Sequence, residues 1–247
     1  MTSQSTDANI IPKFEPTLVI AFPDVLLAGP KILLSANATS THGQPIAEWS
    51  HYFKRQSAKK PSTSSKVASA DVKAIIYSAT TFTDPQQQQQ QNLSLLTIAA
   101  APPTTEQAYN LCKAIVDHAR TSNTHKIILL GASNFVSKEQ KTHVAQIHHD
   151  SLKGFPVLPK DVPLGDHILN TFLTLLTFID IPTVALIHPA KKGMSLRESQ
   201  AIIEDLTASL VSVIGDKNST EFSAERAFNH KVHKIEDEED LESMMYL

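Results

Sequence analysis

The order of the apolar segments predicts an α/β protein with a mixed, largely parallel sheet. In the second half of the chain, segments with helical periodicity alternate with short continuous apolar runs, as expected for strands connected by helices. The first half is richer in strand-like runs, which favours antiparallel pairing there. No internal repeat is found, and no linker interrupts residues 17–214. We therefore expect one domain followed by a C-terminal tail.

Continuous apolar runs of strand length predict the strands of the sheet. They lie at residues 17–22, 31–36, 72–82, 92–100, 126–130 and 183–187. The first run stops at Pro23, the second follows Gly29-Pro30, and the fifth ends at Gly131. A glutamine tract at 86–91 joins two of these strands as a hairpin-like excursion, and low-complexity glutamine is typical of a tolerated surface insertion.

Three helices are predicted from capping residues and apolar faces. Thr104 and Gln107 fit a capping box. One face of the helix that follows is apolar and consists of Ala108, Leu111, Cys112, Ile115 and Ala119. Residues 164–179 are apolar on almost every side, which predicts a helix buried against the sheet. Ser195 and Glu198 form a second capping-box pattern. The helix that they open is expected to bury Leu196, Ile202, Ile203, Leu206 and Leu210.

Composition divides the chain into an arm, a body and a tail. Residues 1–15 are expected to form a flexible arm, 16–221 a single domain with surface loops at 56–70 and 84–92, and 222–247 a flexible acidic tail. From Glu236 onward the tail holds six acids and no bases, so the formal net charge of −3 becomes about +3 for the rest of the chain. Such a mildly basic body does not suggest nucleic-acid binding.

Composition also excludes several classes of protein. A single cysteine, Cys112, excludes an internal disulfide and a cysteine-rich zinc site. The first residues lack the basic and apolar segments of a secretory signal, and no apolar run is long enough to span a membrane. Seven glycines form no dinucleotide or phosphate loop, and we expect no cofactor. The expectation is a soluble, intracellular protein.

One candidate catalytic arrangement follows the strand at 126–130. Ser133 stands where the nucleophile of an α/β-hydrolase would, and Asp166 or Asp180 and then His188 follow in the order of that triad. Phe135, however, occupies the position at which the sharp turn needs a second glycine. The alternative is a strand end that turns into a polar loop. A hydrolase-like or phosphorylase-like enzyme that uses Ser133 and His188 stays open as the second hypothesis.

The remaining polar clusters favour structural interpretations. His143, His148 and His149 are spaced by five and one, which scatters their rings around a helix and favours surface histidines over metal ligands. Lys191-Lys192-Gly193 precedes a capped helix and could hold an anion, but a solvated loop is the more common outcome. Cys112 lies on an apolar helix face and is interpreted as core packing rather than as a reactive thiol.

The last three residues carry the most specific signal. Met245-Tyr246-Leu247 has the pattern hydrophobic–tyrosine–any residue, with a free carboxylate behind it, and an acidic run at 236–240 comes before it. A solvated tail of this kind presents its apolar tip and carboxylate to a basic-rimmed pocket on another protein. The alternative is a frayed end that contains a tyrosine by chance.

With these features the chain resembles the proteasome assembly chaperones, most closely the first subunit of the heterodimer that binds the proteasome α-ring. Three segments carry the resemblance. They are the helix at Thr104 leading into 126–134, the segment 154–189 with its apolar helix and following strand, and the terminus Met245-Tyr246-Leu247, which is similar to the HbYX motif of the family. Together they cover about half of the chain.

The resemblance implies a fold, a mechanism and partners. The implied fold is a three-layer α/β/α domain like that of nucleoside phosphorylases, without catalysis. In the implied mechanism the tail enters a pocket between neighbouring α-subunits, where Met245 makes the apolar contact, Tyr246 packs its ring and Leu247 presents its carboxylate to a lysine. The implied partners are a related chaperone subunit, proteasome α-subunits and core-particle precursors, in the cytoplasm and also the nucleus. A third hypothesis is a scaffold protein whose C-terminal tail binds a PDZ domain. Met245, however, stands at the position where such domains prefer Ser or Thr.

Overall fold

A computed structural model describes residues 12–36, 44–53, 74–83, 90–98, 100–150, 152–159, 163–215 and 222–230. The strands of its sheet are β1 (Thr17–Ala21), β2 (Gln44–Pro45), β3 (Ala74–Thr83), β4 (Gln90–Ile98), β5 (Lys126–Ser133), β6 (His143–Ile147) and β7 (Thr183–Pro189). The α-helices are α1 (Ala28–Leu34), α2 (Thr105–Thr121), α3 (His167–Leu176), α4 (Leu196–Ile214) and α5 (Ala224–Asn229). A 3₁₀ helix at Ala47–Phe53 precedes β3.

The predicted mixed, largely parallel sheet is confirmed. The strand order is β2-β3-β4-β1-β5-β7-β6. The four central strands β4, β1, β5 and β7 are mutually parallel, whereas β3 pairs antiparallel with β4 and β6 pairs antiparallel with β7. As expected, an antiparallel hairpin, β3–β4, lies in the first half of the chain. Strands β5 and β7 of the second half belong to the parallel centre of the sheet.

Helices cover both faces of the sheet and create two hydrophobic cores. On one face, Ile127 and Leu129 of β5 pack in a cluster with buried residues of α2, α3 and the 3₁₀ helix. On the other face, Ile128 and Leu130 pack in a cluster with residues of α1, α4 and α5. Because successive strand residues point to opposite faces, the central strands must be apolar at nearly every position. This requirement explains the continuous apolar runs in the sequence.

The two predicted helix starts are confirmed. Thr104 caps α2, since its hydroxyl accepts a hydrogen bond from the Gln107 amide at 3.1 Å. At the start of α4 the Ser195 hydroxyl accepts from the Glu198 amide at 3.3 Å, and the Glu198 carboxylate accepts from the Ser195 amide at 2.8 Å. The predicted apolar faces of both helices are buried, with one exception. Leu196, at the first position of α4, is 79% exposed, so its predicted burial is wrong.

The predicted strand at 31–36 is wrong, because these residues belong to α1. The carboxylate of Asp24 accepts hydrogen bonds from the amides of Ala28 and Gly29, both at 3.0 Å, and thereby satisfies the first turn of the helix. Pro30 lies in that first turn, where the missing amide hydrogen costs no helical hydrogen bond. A short apolar run does not by itself distinguish a buried strand from a buried helix.

The predicted helix at 164–179 is confirmed as a helix buried against the sheet, but it is shorter than expected. Helix α3 spans His167–Leu176, and Asp166 caps it by accepting hydrogen bonds from the amides of Ile168 and Leu169. Phe172 lies on the buried face, whereas Phe178, beyond the helix end, is 83% exposed. Only the predicted extension of the helix to residue 179 is wrong.

The predicted domain limits also need correction. Phe14, assigned to the arm, is only 2% exposed, and its amide donates to the Ser122 hydroxyl at 3.1 Å. Helix α5 lies inside the predicted tail, and its Ala227 is fully buried. Residues 90–92 of the predicted loop at 84–92 belong to β4. Residues 1–11, the loop at 56–70, residues 84–89 and the segment 231–247 lie outside the described residues.

Candidate functional site

The described part of the chain ends on a helix that is fixed to the body. Helix α5 lies beside α1 and α4, where Phe222 and Ala227 are buried in the core on that face of the sheet. The Ser223 hydroxyl caps α5 by accepting a hydrogen bond from the Arg226 amide at 3.3 Å. The segment that contains Met245, Tyr246 and Leu247 starts behind this helix. These three residues lie outside the described part, so their predicted role stays a prediction.

The candidate triad does not assemble. In the register of β5 and β7, Ala132 lies opposite His188, and Ser133 lies opposite Pro189. Because side chains alternate along a strand, Ser133 lies on the face that is covered by α2 and α3, and His188 on the face that is covered by α4. The Ser133 hydroxyl is buried and has no hydrogen-bond partner in the described structure. The sheet separates the proposed nucleophile from its proposed base.

The acids proposed for the triad have other environments. The Asp166 carboxylate is engaged in capping α3, and its partial burial raises its pKa against the opposing effect of the Leu169 and Ile168 amides. Asp180 is exposed at the turn before β7. Neither residue changes the separation of Ser133 from His188. The arrangement therefore does not support acyl-transfer chemistry at Ser133.

His188 takes part in a polar contact between the sheet and α4. It is buried; its Nδ1 lies 2.8 Å from the Pro189 carbonyl oxygen, and its Nε2 lies 3.8 Å from a carboxylate oxygen of Asp205. Burial lowers the pKa of His188, while the Pro189 carbonyl and Asp205 oppose that shift. The same Asp205 oxygen accepts hydrogen bonds from the amide and the hydroxyl of Thr142, both at 2.6 Å. These contacts join the start of β6 to α4.

The histidine cluster is divided between a buried and an exposed environment. His143 was predicted to be a surface residue on a helix, but it is buried in β6, so this prediction is wrong. His148 is exposed, as predicted, and its Nε2 lies 3.2 Å from the Thr177 carbonyl oxygen. His149 is half-buried. Within the described ranges, no group of three His, Cys, Asp or Glu residues could hold a metal ion.

Sequence reasoning missed a serine–histidine contact in the loop between β5 and β6. The Ser137 hydroxyl lies 2.8 Å from Nε2 of His143, and Nδ1 of His143 lies 2.7 Å from the Lys141 carbonyl oxygen. Because a carbonyl oxygen only accepts, Nδ1 of His143 donates this hydrogen bond. The Ser137 hydroxyl also accepts from the Glu139 amide at 3.1 Å. This contact holds the loop against β6.

The basic turn and the cysteine fit the structural interpretations. Lys191, Lys192 and Gly193 are exposed between β7 and α4, as expected for a solvated loop. Cys112 is buried on the apolar face of α2, and this burial raises the pKa of its thiol. A thiol that resists ionisation is a poor nucleophile. Cys112 is thus part of the core.

Asp24 is a buried carboxylate that the sequence analysis did not single out. It follows β1 and accepts hydrogen bonds from the amides of Leu26, Ala28 and Gly29. Burial raises its pKa to about 6, although these amides and a further contact with the Ala132 backbone act in the opposite direction. The sequence signal that could have identified Asp24 is an acidic residue shortly after the apolar run of β1. The position joins β1, α1 and β5 at the carboxyl edge of the sheet.

No helix in the described ranges is long and apolar enough to cross a membrane.

No protein-family model matches the chain, and neither does any curated protein. Solved structures do match it in fold. An archaeal proteasome activator, PbaB of Pyrococcus furiosus, aligns over 96% of this chain and 95% of its own, with a TM-score of 0.56 and 11% identity.

Two further structures extend the comparison. A protein of unknown function from Thermoplasma acidophilum aligns over 94% of this chain and 91% of its own, with a TM-score of 0.54 and 10% identity. PbaA of Pyrococcus furiosus, an archaeal homolog of proteasome-assembly chaperone, aligns over 81% of this chain and 84% of its own, with a TM-score of 0.46 and 13% identity. At such identities the first two matches show a shared α/β fold.

Proposed function

We propose that this protein is a proteasome assembly chaperone. It acts as the first subunit of a heterodimer with a related chaperone, binds the α-ring of the proteasome core particle and promotes its assembly. The observation that carries the proposal is the terminal Met245-Tyr246-Leu247 on a body of this fold. A protein named as a proteasome activator shares the fold, which supports a proteasome-related role.

The three terminal residues supply three different contacts. Met245 contributes an apolar side chain and Tyr246 an aromatic ring with a hydroxyl group. Leu247 contributes the terminal carboxylate, which pairs with a lysine in a pocket between two α-subunits. A charge-assisted hydrogen bond of this kind contributes about 1.5–3 kcal/mol. The loss of one contact should therefore weaken binding by at least tenfold.

The position of α5 supports the use of the tail as a tether. The seventeen residues 231–247 follow a helix that is packed on the body, so the origin of the tail is fixed. An extended chain of that length reaches at most about 60 Å. Five consecutive acids at 236–240 repel one another, which favours extended conformations, and they are attracted to a basic pocket rim. The body and the tip can thus contact different parts of one ring.

The environments of the candidate catalytic residues support a binding role. Ser133 and His188 lie on opposite faces of the sheet, and Asp166 caps a helix. The second hypothesis, an enzyme that uses Ser133 and His188, required these side chains to converge. The partners that we propose are a related chaperone subunit, α-subunits and core-particle precursors. The compartments that we propose are the cytoplasm and the nucleus.

Co-purification with proteasome α-subunits tests the proposal. Intact protein should retain α-rings and a second chaperone subunit. Tyr246→Ala should lose at least 90% of the retained α-ring and keep the chaperone partner, while Met244→Ala, in the same tail, should behave like the intact protein. Addition of one glycine after Leu247 moves the carboxylate and should also abolish retention. Equal retention by Tyr246→Ala and by the intact protein would refute tail docking.

A further inference from the structure

Two neighbouring loops at the carboxyl edge of the sheet form one surface. Residues 134–142 follow β5, and residues 190–195 follow β7 and lead into α4. The parallel pairing of β5 with β7 places the two loops side by side, and the Ala190 amide donates to the Ser133 carbonyl oxygen at 2.9 Å. We call the exposed residues of 136–141 and 191–198 the basic edge.

The basic edge contains exposed aliphatic side chains. Val136 is 90% exposed and Leu196 is 79% exposed, which makes them two of the most exposed large hydrophobic residues in the described ranges. Val25, which directly follows β1, is also exposed at the carboxyl edge. Exposed apolar side chains that share one edge of a sheet indicate a surface for another molecule.

Basic side chains are exposed in the same two segments as Val136 and Leu196. The exposed bases of the basic edge are Lys138, Lys141, Lys191, Lys192 and Arg197. Its acids are Glu139 and Glu198, and Glu198 is engaged in the capping box of α4. This surface therefore carries an excess of three positive charges, equal to the excess of the whole chain before Glu236. The basic edge is thus a positively charged surface.

The loop between β5 and β6 in the basic edge is held in place by partly buried polar contacts. His143 binds Ser137 and the Lys141 carbonyl, and Asp205 of α4 binds the backbone and side chain of Thr142. These bonds secure the loop between β5 and β6 at both its middle and its end. A surface that is already ordered loses little conformational entropy when a partner binds.

We propose that the basic edge binds an acidic segment of a partner protein that carries an aliphatic or aromatic anchor residue. Carboxylates of the segment pair with the bases, and the anchor covers Val136 and Leu196. A nucleic acid satisfies the charges but leaves these two side chains exposed, so the protein segment fits better. The basic edge does not include residues 245–247, so it is independent of the proposed tail docking.

Fluorescence anisotropy with a labelled peptide, EDEDLLEDED, tests the proposal on the full chain in 50 mM NaCl. Lys138→Glu/Lys191→Glu should bind the peptide at least tenfold more weakly than the unmodified protein. The matched control Lys13→Glu/Lys153→Glu has the same net charge and alters two exposed lysines elsewhere, so it should bind normally. Val136→Ser/Leu196→Ser should lose several-fold in affinity and keep the same salt dependence. Thermal melts of all variants verify folding.

Three results would overturn the proposal. The first is equal weakening of peptide binding in the two charge-reversal variants, which would show that the peptide responds only to the net charge of the protein. The second is tighter binding of a twelve-residue oligothymidylate than of the peptide, which would assign the basic edge to nucleic acid. The third concerns the chain's own tail: if changing the acids at 236–240 to Gln and Asn tightens peptide binding tenfold or more, the tail occupies the basic edge instead of a partner.

Discussion

The replacement Asp24→Asn should remove a specific pH dependence of stability. Asp24 is almost completely buried, and burial raises its pKa from 3.8 to about 6. In the unfolded chain the carboxyl group ionises near its ordinary value, so between pH 4 and 6 the folded state binds more protons than the unfolded state. Stability from this group is therefore present at low pH and lost as the pH rises through about 6.

The magnitude follows from the size of the shift. A difference of about two pKa units between the folded and unfolded states corresponds to about 3 kcal/mol over the whole titration. Between pH 4.5 and 7.5 the unmodified protein should lose about 2 kcal/mol relative to Asp24→Asn, which does not titrate. The hydrogen bonds that the asparagine loses or keeps at the amides of Ala28 and Gly29 shift this difference by an amount that does not depend on pH.

Urea unfolding at four pH values measures the effect. The fluorescence of Trp49, the only tryptophan and a buried one, reports unfolding in both proteins. Subtraction of the two stabilities at each pH removes the contribution of every other titrating group. A difference that stays constant from pH 4.5 to 7.5 would show that folding does not raise the pKa of Asp24. A difference of opposite sign would show that the amide hydrogen bonds outweigh burial.

The other stability predictions concern the packing of the body. Gly29→Ala should destabilise the protein by more than 2 kcal/mol, because its Cβ would lie 2.3 Å from the Leu130 carbonyl oxygen, which outweighs a gain of about 1 kcal/mol in helix propensity. Gly154→Ala meets no atom within 4 Å but needs a φ of +91°, and should cost about 1–2 kcal/mol. Phe14→Ala should cost about 3–5 kcal/mol if this buried ring belongs to the core, whereas no loss would restore the prediction of a flexible arm. Ser195→Ala should cost about 1 kcal/mol through loss of the capping box, and urea titrations measure all four variants.

The strands that could be predicted from the sequence are those covered by helices on both faces of the sheet. Strands β1 and β7 are buried at almost every position, so their apolar runs are continuous and easy to find. The run at 31–36 has a similar composition but is helical, since Asp24 and the close approach of Gly29 to β5 decide its conformation. The approach of Gly29 to Leu130 joins residues far apart in sequence, and neither this contact nor the cap by Asp24 can be deduced from apolar periodicity.

The candidate site shows the same limit. The order of Ser133 and His188 along the chain fits a triad, but their separation depends on the register of β5 against β7, which places Ala132 rather than Ser133 opposite His188. A shift of one residue would have put both side chains on the same face. His143 was predicted to be exposed because nothing in the sequence shows that β6 pairs with β7. Register and pairing are properties of the folded sheet.

Equilibrium binding to purified α-rings tests the central claim most directly. The intact chain, in complex with its chaperone partner, is compared with the same complex lacking Met245-Tyr246-Leu247. We expect the truncated complex to stay assembled and to bind α-rings at least tenfold more weakly. Mass spectrometry of the C-terminal peptide verifies that Leu247 carries the free carboxylate. Undiminished binding by the truncated complex would show that the tail does not dock.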